Sequence, residues 1–355
     1  MAAAQSPLDA EDLRVRVQKE LEGFLEAQQP VLDAVSDDVL PMLDAARSLL
    51  SGGKRLRPAF AYWGWRGAGG ADCSEIIPAV AALEFLQACA LIHDDVMDGS
   101  DTRRGQPSVH RRFAGLHRTA RWTGSAEAFG SGAAILLGDL ALVWADQLLF
   151  SAPLPQERLF AAKPVYDRMR AELMSGQYLD VLEQARGGGS VERALRVARF
   201  KAAKYTVEEP LHLGGTLAEA PPELLSAYSA YGVPLGEAFQ LRDDVLGVFG
   251  DPEVTGKPAG DDLREGKRTV LIAVAEERGS PSQRAAFHRH LGDPHLDAAG
   301  VEELRDLINH TGAVTYVEEL IEDRVHEARV ALDRVPQPAH GVLEHLTDAA
   351  TRRTG

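Results

Sequence analysis

The stretch LIHDDVMDGSDTRRG, residues 91–105, places Asp94, Asp95, Asp98 and Asp101 within eight residues, with Arg103 and Arg104 directly behind them. Asp94 and Asp98 are four apart, so on a helix their carboxylates share one face and repel each other. Negative charge at a helix C-terminus also opposes the macrodipole, by about 0.3–1 kcal/mol per group. A rule broken this plainly is most often broken for function. Two readings fit the stretch alone. One is a solvated acidic turn. The other is a site for Mg²⁺, which takes one or two carboxylates together with water and substrate phosphates. The ligand spacing of a calcium EF-hand is absent.

A second acidic knot closes AFQLRDDVLGVFGD, residues 238–251, where Asp243 and Asp244 end another apolar helical run. Two such helix ends weigh more than one: opposed across a cavity, they would hold several Mg²⁺ ions around one polyphosphate. Cations accompany both. SGGKRLRP (51–58) offers Lys54, Arg55 and Arg57 beside two glycines that let a backbone approach an anion. Arg103 and Arg104 follow the first knot, Lys257 and Lys267 the second, and Lys201 and Lys204 lie between them in RFKAAKYTVEEP. Singly, each is more often a solvated surface group. The glycine-lysine loop is no P-loop, because GxxxxGK[ST] is missing. Together the cations outline two anion sites, one bridged by metal and one held mainly by basic side chains.

The elements that must position these groups read as helices. Residues 75–93, EIIPAVAALEFLQACALIH, are apolar on nearly every face, as a buried helix is, with Pro78 where a first turn tolerates it. VEELRDLINH, AVTYVEELIEDRVHEARVAL and PELLSAYSAYGVPLGEAFQLRDDVLGV repeat apolar residues at three- and four-residue spacing, and strand-like alternation is nearly absent. Roughly a dozen helices with short connections are expected, hence an all-α architecture. GGGS (187–190) has the composition of a linker, but charged motifs lie on both sides of it. One ligand served by both sides requires a single domain over residues 9–355, with residues 1–8 loose.

The bulk numbers exclude several function classes. The 355 residues carry a net charge of −15, which argues against a nucleic-acid partner. Cys73 and Cys89 make neither a disulfide framework nor a metal set, so two reduced thiols in a cytoplasmic protein are expected. The start lacks the pattern of a secretory signal. Apolar stretches such as AAILLGDLALVWA are interrupted by charge and read as too short to span a bilayer, and a soluble protein is expected.

GGKRLRP, HDDVMDGSDTRRG, FQLRDD and GKPAGDDLREGK, in that order, resemble the trans-isoprenyl diphosphate synthases (polyprenyl synthetases), bacterial geranylgeranyl diphosphate synthases above all. The resemblance extends over nearly the whole chain. It implies a helical bundle around a deep central cavity, usually a homodimer, condensing isopentenyl diphosphate head-to-tail with an allylic diphosphate. It assigns Asp94 and Asp98 to two Mg²⁺ ions and Asp243 to a third, with Asp244 in the metal set and Asp95 in support. Arg103, Lys201 and Lys257 would hold the allylic diphosphate. Lys54, Arg57 and Arg104 would hold isopentenyl diphosphate, with Gln87 and Lys267 among the substrate-binding residues. Gln240 would line the reaction centre.

Three positions depart from the family pattern. Gln87 stands where a histidine is usual, Ala202 follows Lys201 where a threonine is usual, and Gly247 replaces a third aspartate of the second motif. In this family the residues four and five before the first aspartate floor the chain-binding cavity. Here they are the small Ala90 and Cys89, which disfavours a fifteen-carbon product. Leu86 and Phe85 are the next barriers, and Trp144 is either a plug from a neighbouring helix or plain core. Geranylgeranyl diphosphate is the expected product, with a longer chain next and a shorter one the other alternative for the same reaction. Two rivals remain. A class I terpene cyclase lacks its middle ligand at Gly247 and has no use for a second diphosphate site. A catalytically silent partner subunit fits the three departures.

Overall fold

The helical periodicity of the sequence carries through to the structure. The computed structural model describes residues 11–251, 260–293 and 295–351, and among these sixteen α-helices hold nearly all the regular structure. The one departure from all-α is a short hairpin in which Thr102–Arg103 pairs antiparallel with Gln106–Pro107. Residues 1–8 and Lys257, both with expectations attached, lie outside the described residues.

Packing divides the chain into two compact units, residues 1–163 with 213–220, and residues 164–212 with 221–355. The GGGS stretch lies inside the second. The first unit contains α1 (Leu13–Asp33), α2 (Leu40–Leu50), α3 (Leu56–Gly67), α4 (Ile77–Asp98), α5 (Val109–Ala120) and α6 (Ala126–Phe150). Helix α4 is its core element: every side chain from Ile77 to Leu86 is buried, with Pro78 in the first turn and Gly99 closing the C-terminus at a φ of 68°. A left-handed residue after the last turn is the usual glycine stop. Helix α6 packs along α4 and against α5, and Phe24, Phe85 and Trp144 meet between α1, α4 and α6.

Helices α4 and α6 are long and apolar enough to cross a bilayer by length and composition, with 67% and 44% of their most apolar windows buried in the protein. The expectation about length is corrected here. AAILLGDLALVWA is the middle of a helix of 25 residues, so it is not too short. The interruption by charge stands, at Asp139 and Asp146 within α6, and most of the α4 window is buried. The outer face of α6 keeps Phe129, Leu136, Val143 and Phe150, seven residues apart, exposed.

Helices α7 (Gln156–Arg186) and α9 (Glu209–Leu217) pass from one unit to the other. Between α8 (Val191–Val197) and α9 the backbone widens into a π-helical segment, Ala198–Glu208. Such widening is rare and concentrates at functional sites. Three glycines let neighbouring helices close on it. A Cβ at Gly236 would lie 2.5 Å from Ala203 Cα, one at Gly232 2.7 Å from Glu208 Cα, and one at Gly176 would collide with the Lys201 amide. Gly232 and Gly236 belong to α10 (Pro222–Phe249), the long central helix of the second unit. Helices α11 (Asp261–Glu265), α12 (Val270–Arg278), α13 (Pro281–His290), α14 (Ala298–His310), α15 (Ala313–Leu332) and α16 (Ala339–Thr351) complete that unit, and α10 packs against α15.

Candidate active site

In the first unit, α4 changes character at its C-terminal half. Gln87, Leu91, Asp94 and Asp98 follow one another at spacings of four, three and four, and all are partly accessible. That spacing draws one stripe along the helix. Asp95, a further 100° round, is buried at 2% exposure. Asp98 shields both carboxylate oxygens from solvent. The acidic knot therefore does not simply project into bulk water. It heads a helical stripe whose lower end is Gln87.

Four arginines gather near this end. Arg55 turns inward and pairs with buried Glu84, with further bonds to Gln18 and the Leu50 carbonyl, so it braces the loop rather than presenting its charge. Arg104 bonds across the same loop to the carbonyls of Leu49 and Gly52, each at 3.2 Å. Gly53, at a φ of 113°, lies under its guanidinium, where a Cβ would come within 3.1 Å of Nη2. Loss of surrounding water pushes the Arg104 pKa down, and the like charges of Arg55, Arg103 and Arg57 add to that against the pull of Glu84. Cations held this close favour an anion among them. The structure thus brings Arg57, Arg103 and Arg104 into one field, with Lys54 exposed on the loop.

In the second unit, Gln240, Asp243 and Gly247 lie along one partly accessible face of α10. Asp244 turns inward, where Gln240 Nε2 donates to its Oδ1 at 2.7 Å. Burial first, and then the charges of Asp262 and Asp243, raise the Asp244 carboxyl well above its ordinary value. A concentration of negative charge this unfavourable is one that a cation relieves. Gly247 also has a local explanation: a Cβ there would fall inside the van der Waals shell of Asp262 Oδ2. The carboxylate of α11 occupies the space that an aspartate at 247 would need. Asp262 was not singled out in the sequence, although GKPAGDDLREGK contains it.

Lys267 lies 3.0 Å from Glu265 and 3.9 Å from Asp262, beside that same acidic patch. Lys201, on the π-helical segment, donates to Asp180 of α7 at 2.6 Å. Lys204 is surrounded by Glu172, Glu208 and Glu209, a structural network that also includes Arg168.

Within each unit the donors are oxygen alone, Asp94 and Asp98 in the first and Asp243, Asp244 and Asp262 in the second, a chemistry that suits hard divalent cations. Among the described residues no set of three or more His, Cys, Asp or Glu is arranged to hold an ion by itself.

Of the residues expected to set product length, Leu86 and Cys89 are fully buried and Ala90 is partly accessible. Burial pushes the Cys89 thiol up to about 12, so it stays a neutral packing group. Trp144 is 1% exposed, with its ring centroid 5.7 Å from Phe85 and 6.4 Å from Phe24. Phe24 and Phe85 are 5.0 Å apart. Trp144 is thus part of a three-ring cluster, and Phe24, far away in sequence, carried no signal of its own.

Comparison with known proteins bears on this arrangement. The polyprenyl synthetase family profile matches residues 41–308. A geranylgeranyl diphosphate synthase of Mycobacterium tuberculosis is 31% identical over 331 residues, 92% of this chain and 89% of that protein. A geranylfarnesyl diphosphate synthase of Aeropyrum pernix is 31% identical over 293 residues, 81% of this chain and 85% of that one. Among solved structures, the Corynebacterium glutamicum geranylgeranyl pyrophosphate synthase complexed with isoprenyl diphosphate and magnesium superposes with a TM-score of 0.92. It is 42% identical, covering 95% of this chain and 98% of its own.

Proposed function

The chain belongs to the polyprenyl synthetase family, and from that membership we propose that it is a trans-prenyltransferase making geranylgeranyl diphosphate from isopentenyl diphosphate and allylic diphosphates. The observation that carries this reading is the α4 stripe. A helix buried throughout Ile77–Leu86 opens in its C-terminal half, along a stripe that bears Gln87, Asp94 and Asp98, beside a group of arginines.

In this reading Asp94 and Asp98 hold two Mg²⁺ ions, and Asp243, with Asp244 behind it, holds a third. Bound there, Mg²⁺ neutralises the charge that builds on diphosphate as the allylic carbon–oxygen bond breaks. Arg103, Lys201 and Lys257 hold the allylic diphosphate. Lys54, Arg57, Arg104 and Gln87 hold isopentenyl diphosphate, with Lys267 assisting and Gln240 beside the reacting carbons. The proton lost from the condensation product goes to the departing diphosphate. Apolar walls keep water from quenching the allylic cation. Leu86, Cys89, Ala90 and Trp144 limit the chain at twenty carbons.

A homodimer through α6 is part of the same proposal. Phe129, Leu136, Val143 and Phe150 form an exposed apolar line, and Leu116 and Trp122 are exposed nearby in sequence. Exposed apolar surface of this extent marks an association face, and a line repeating every seventh residue on one helix suits its own copy.

The test is mass spectrometry of products from the purified chain with isopentenyl diphosphate and dimethylallyl, geranyl or farnesyl diphosphate, with Mg²⁺ or with a chelator. Geranylgeranyl diphosphate should dominate with Mg²⁺ and vanish with chelator. A twenty-five-carbon main product overturns the product assignment alone. Cyclised hydrocarbon, or no product from the chain by itself, overturns the reaction in favour of a terpene cyclase or a silent subunit.

A further inference from the structure

Glu237, in the middle of α10, is a charged side chain that is 1% exposed and lies between two guanidinium groups. Arg199 Nε, from the π-helical segment, donates to Glu237 Oε1 at 2.6 Å. Arg324 Nε, from α15, lies 2.9 Å from Oε2. One buried carboxylate therefore ties together three elements of the second unit. Replacing a buried ion pair by well-packed apolar groups is often neutral or stabilising, so net stability does not account for such a group. A charged bond to a planar guanidinium does supply orientation.

That orientation bears on Lys201. Arg199 precedes Lys201 by two residues, and Ala203 follows it by two. Both meet consecutive residues of α10. Arg199 meets Glu237 through the ion pair, and Ala203 meets Gly236, where a Cβ would come within 2.5 Å of Ala203 Cα. The stretch that carries Lys201 is thus fastened to α10 on either side of it. A π-helical stretch departs from the favoured helix, so outside contacts of this kind decide its course. On α10 itself, Gln240 lies about one turn beyond Glu237, and Asp243 less than two. Asp180 of α7 meets the tip of the Lys201 side chain. Glu237 governs the backbone from which that side chain starts.

We propose that Glu237 is a positioning residue for the allylic diphosphate: by holding Arg199 against α10, it sets the reach of Lys201 relative to Gln240 and Asp243. This rests on the reading of Lys201 as a ligand of that diphosphate. Arg324 holds the other carboxylate oxygen from α15, so the anchor is fixed from a second side.

The experiment uses the full chain with Mg²⁺, isopentenyl diphosphate and farnesyl diphosphate. It measures KM for each substrate, kcat and Tm in Glu237→Gln, Arg199→Gln, the double variant and Lys201→Gln. Glu237→Gln should raise KM for farnesyl diphosphate about fivefold, the size of effect that residues acting at one remove have. It should leave KM for isopentenyl diphosphate within about twofold of wild type by the same principle. Arg199→Gln should act in the same direction, and the double variant should add little, since both changes break one contact. A purely structural role would lower Tm and leave both KM values at wild type, and that result overturns the proposal. Fully additive losses in the double variant overturn it too. If Lys201→Gln leaves the farnesyl diphosphate KM unchanged, the reading of Lys201 fails and the role of Glu237 falls with it. If Lys201→Gln raises that KM and neither Glu237→Gln nor Arg199→Gln does, the proposal alone fails. Should Glu237→Gln not fold, Arg199→Gln decides by itself. The Arg199 side chain is 48% exposed and its loss leaves Glu237 paired with Arg324, so the farnesyl diphosphate KM should rise in a folded protein. An unchanged KM there overturns the proposal.

Discussion

Gly247 shows how a single residue can depart from a family pattern for a steric reason. Any side chain there must push the Asp262 carboxylate aside. That carboxylate ends a movable side chain, so Gly247→Ala should cost about 1 kcal/mol or less, a small fall in Tm. The same substitution should raise the Mg²⁺ requirement several-fold, because Asp262 contributes to the negative field around Asp243 and Asp244. Thermal melts beside Mg²⁺ titrations of the rate separate the two effects, and an unchanged titration counts against a role for Asp262. Gln87→His, which supplies a group able to carry charge on the α4 stripe, should lower KM for isopentenyl diphosphate. An unchanged or higher KM counts against that. The sequence revealed the residues whose partners lie a helical turn away, such as Asp94 with Asp98. It did not reveal the Asp262–Gly247 contact or the inward turn of Asp95, because both depend on where other segments pack.

Among the elements, the π-helical segment depends most on its neighbours. Its widened backbone is enclosed by helices that approach at glycine, and at Gly236 the obstacle is main chain, which cannot swing away. Gly236→Ala should therefore cost about 1–3 kcal/mol or more in overpacking. It should also weaken allylic diphosphate binding through Lys201, two residues from the contact at Ala203. Calorimetry and KM measurements check both, and a wild-type Tm would refute the packing. The Phe24–Phe85–Trp144 cluster joins three helices, so Trp144→Ala should cost about 3–5 kcal/mol. It should also add a twenty-five-carbon product. Product length unchanged would leave Trp144 as core alone. Helix positions were readable from periodicity, and Pro78 and Gly99 mark the ends of α4 as the chemistry of caps requires. The π-widening was not readable, because ARFKAAKYTVE has no local feature that distinguishes it from an ordinary helix.

For the whole molecule, the apolar line on α6 was hidden in a run, AAILLGDLALVWA, that reads as buried on all sides. Only the packed structure shows which side α4 and α5 leave uncovered. Leu136→Glu should convert the protein to monomers in sedimentation velocity, and a monomeric wild type would contradict the interface. The net charge of −15 makes the arginine group all the more pointed, since it concentrates cations beside carboxylates in an acidic protein. Family membership was legible because four short motifs keep their order along the chain. What each residue of those motifs touches was legible only in part. The central claim is that carboxylates in the last turns of α4 and within α10 recruit Mg²⁺ to draw diphosphate off an allylic donor. Steady-state rates of Asp94→Asn and Asp243→Asn across a Mg²⁺ series test it most directly. Each should lose about a hundredfold in kcat, as removal of transition-state charge stabilisation does, and each should need more Mg²⁺ than wild type. If either variant keeps more than half the wild-type rate at an unaltered Mg²⁺ requirement, that claim is wrong.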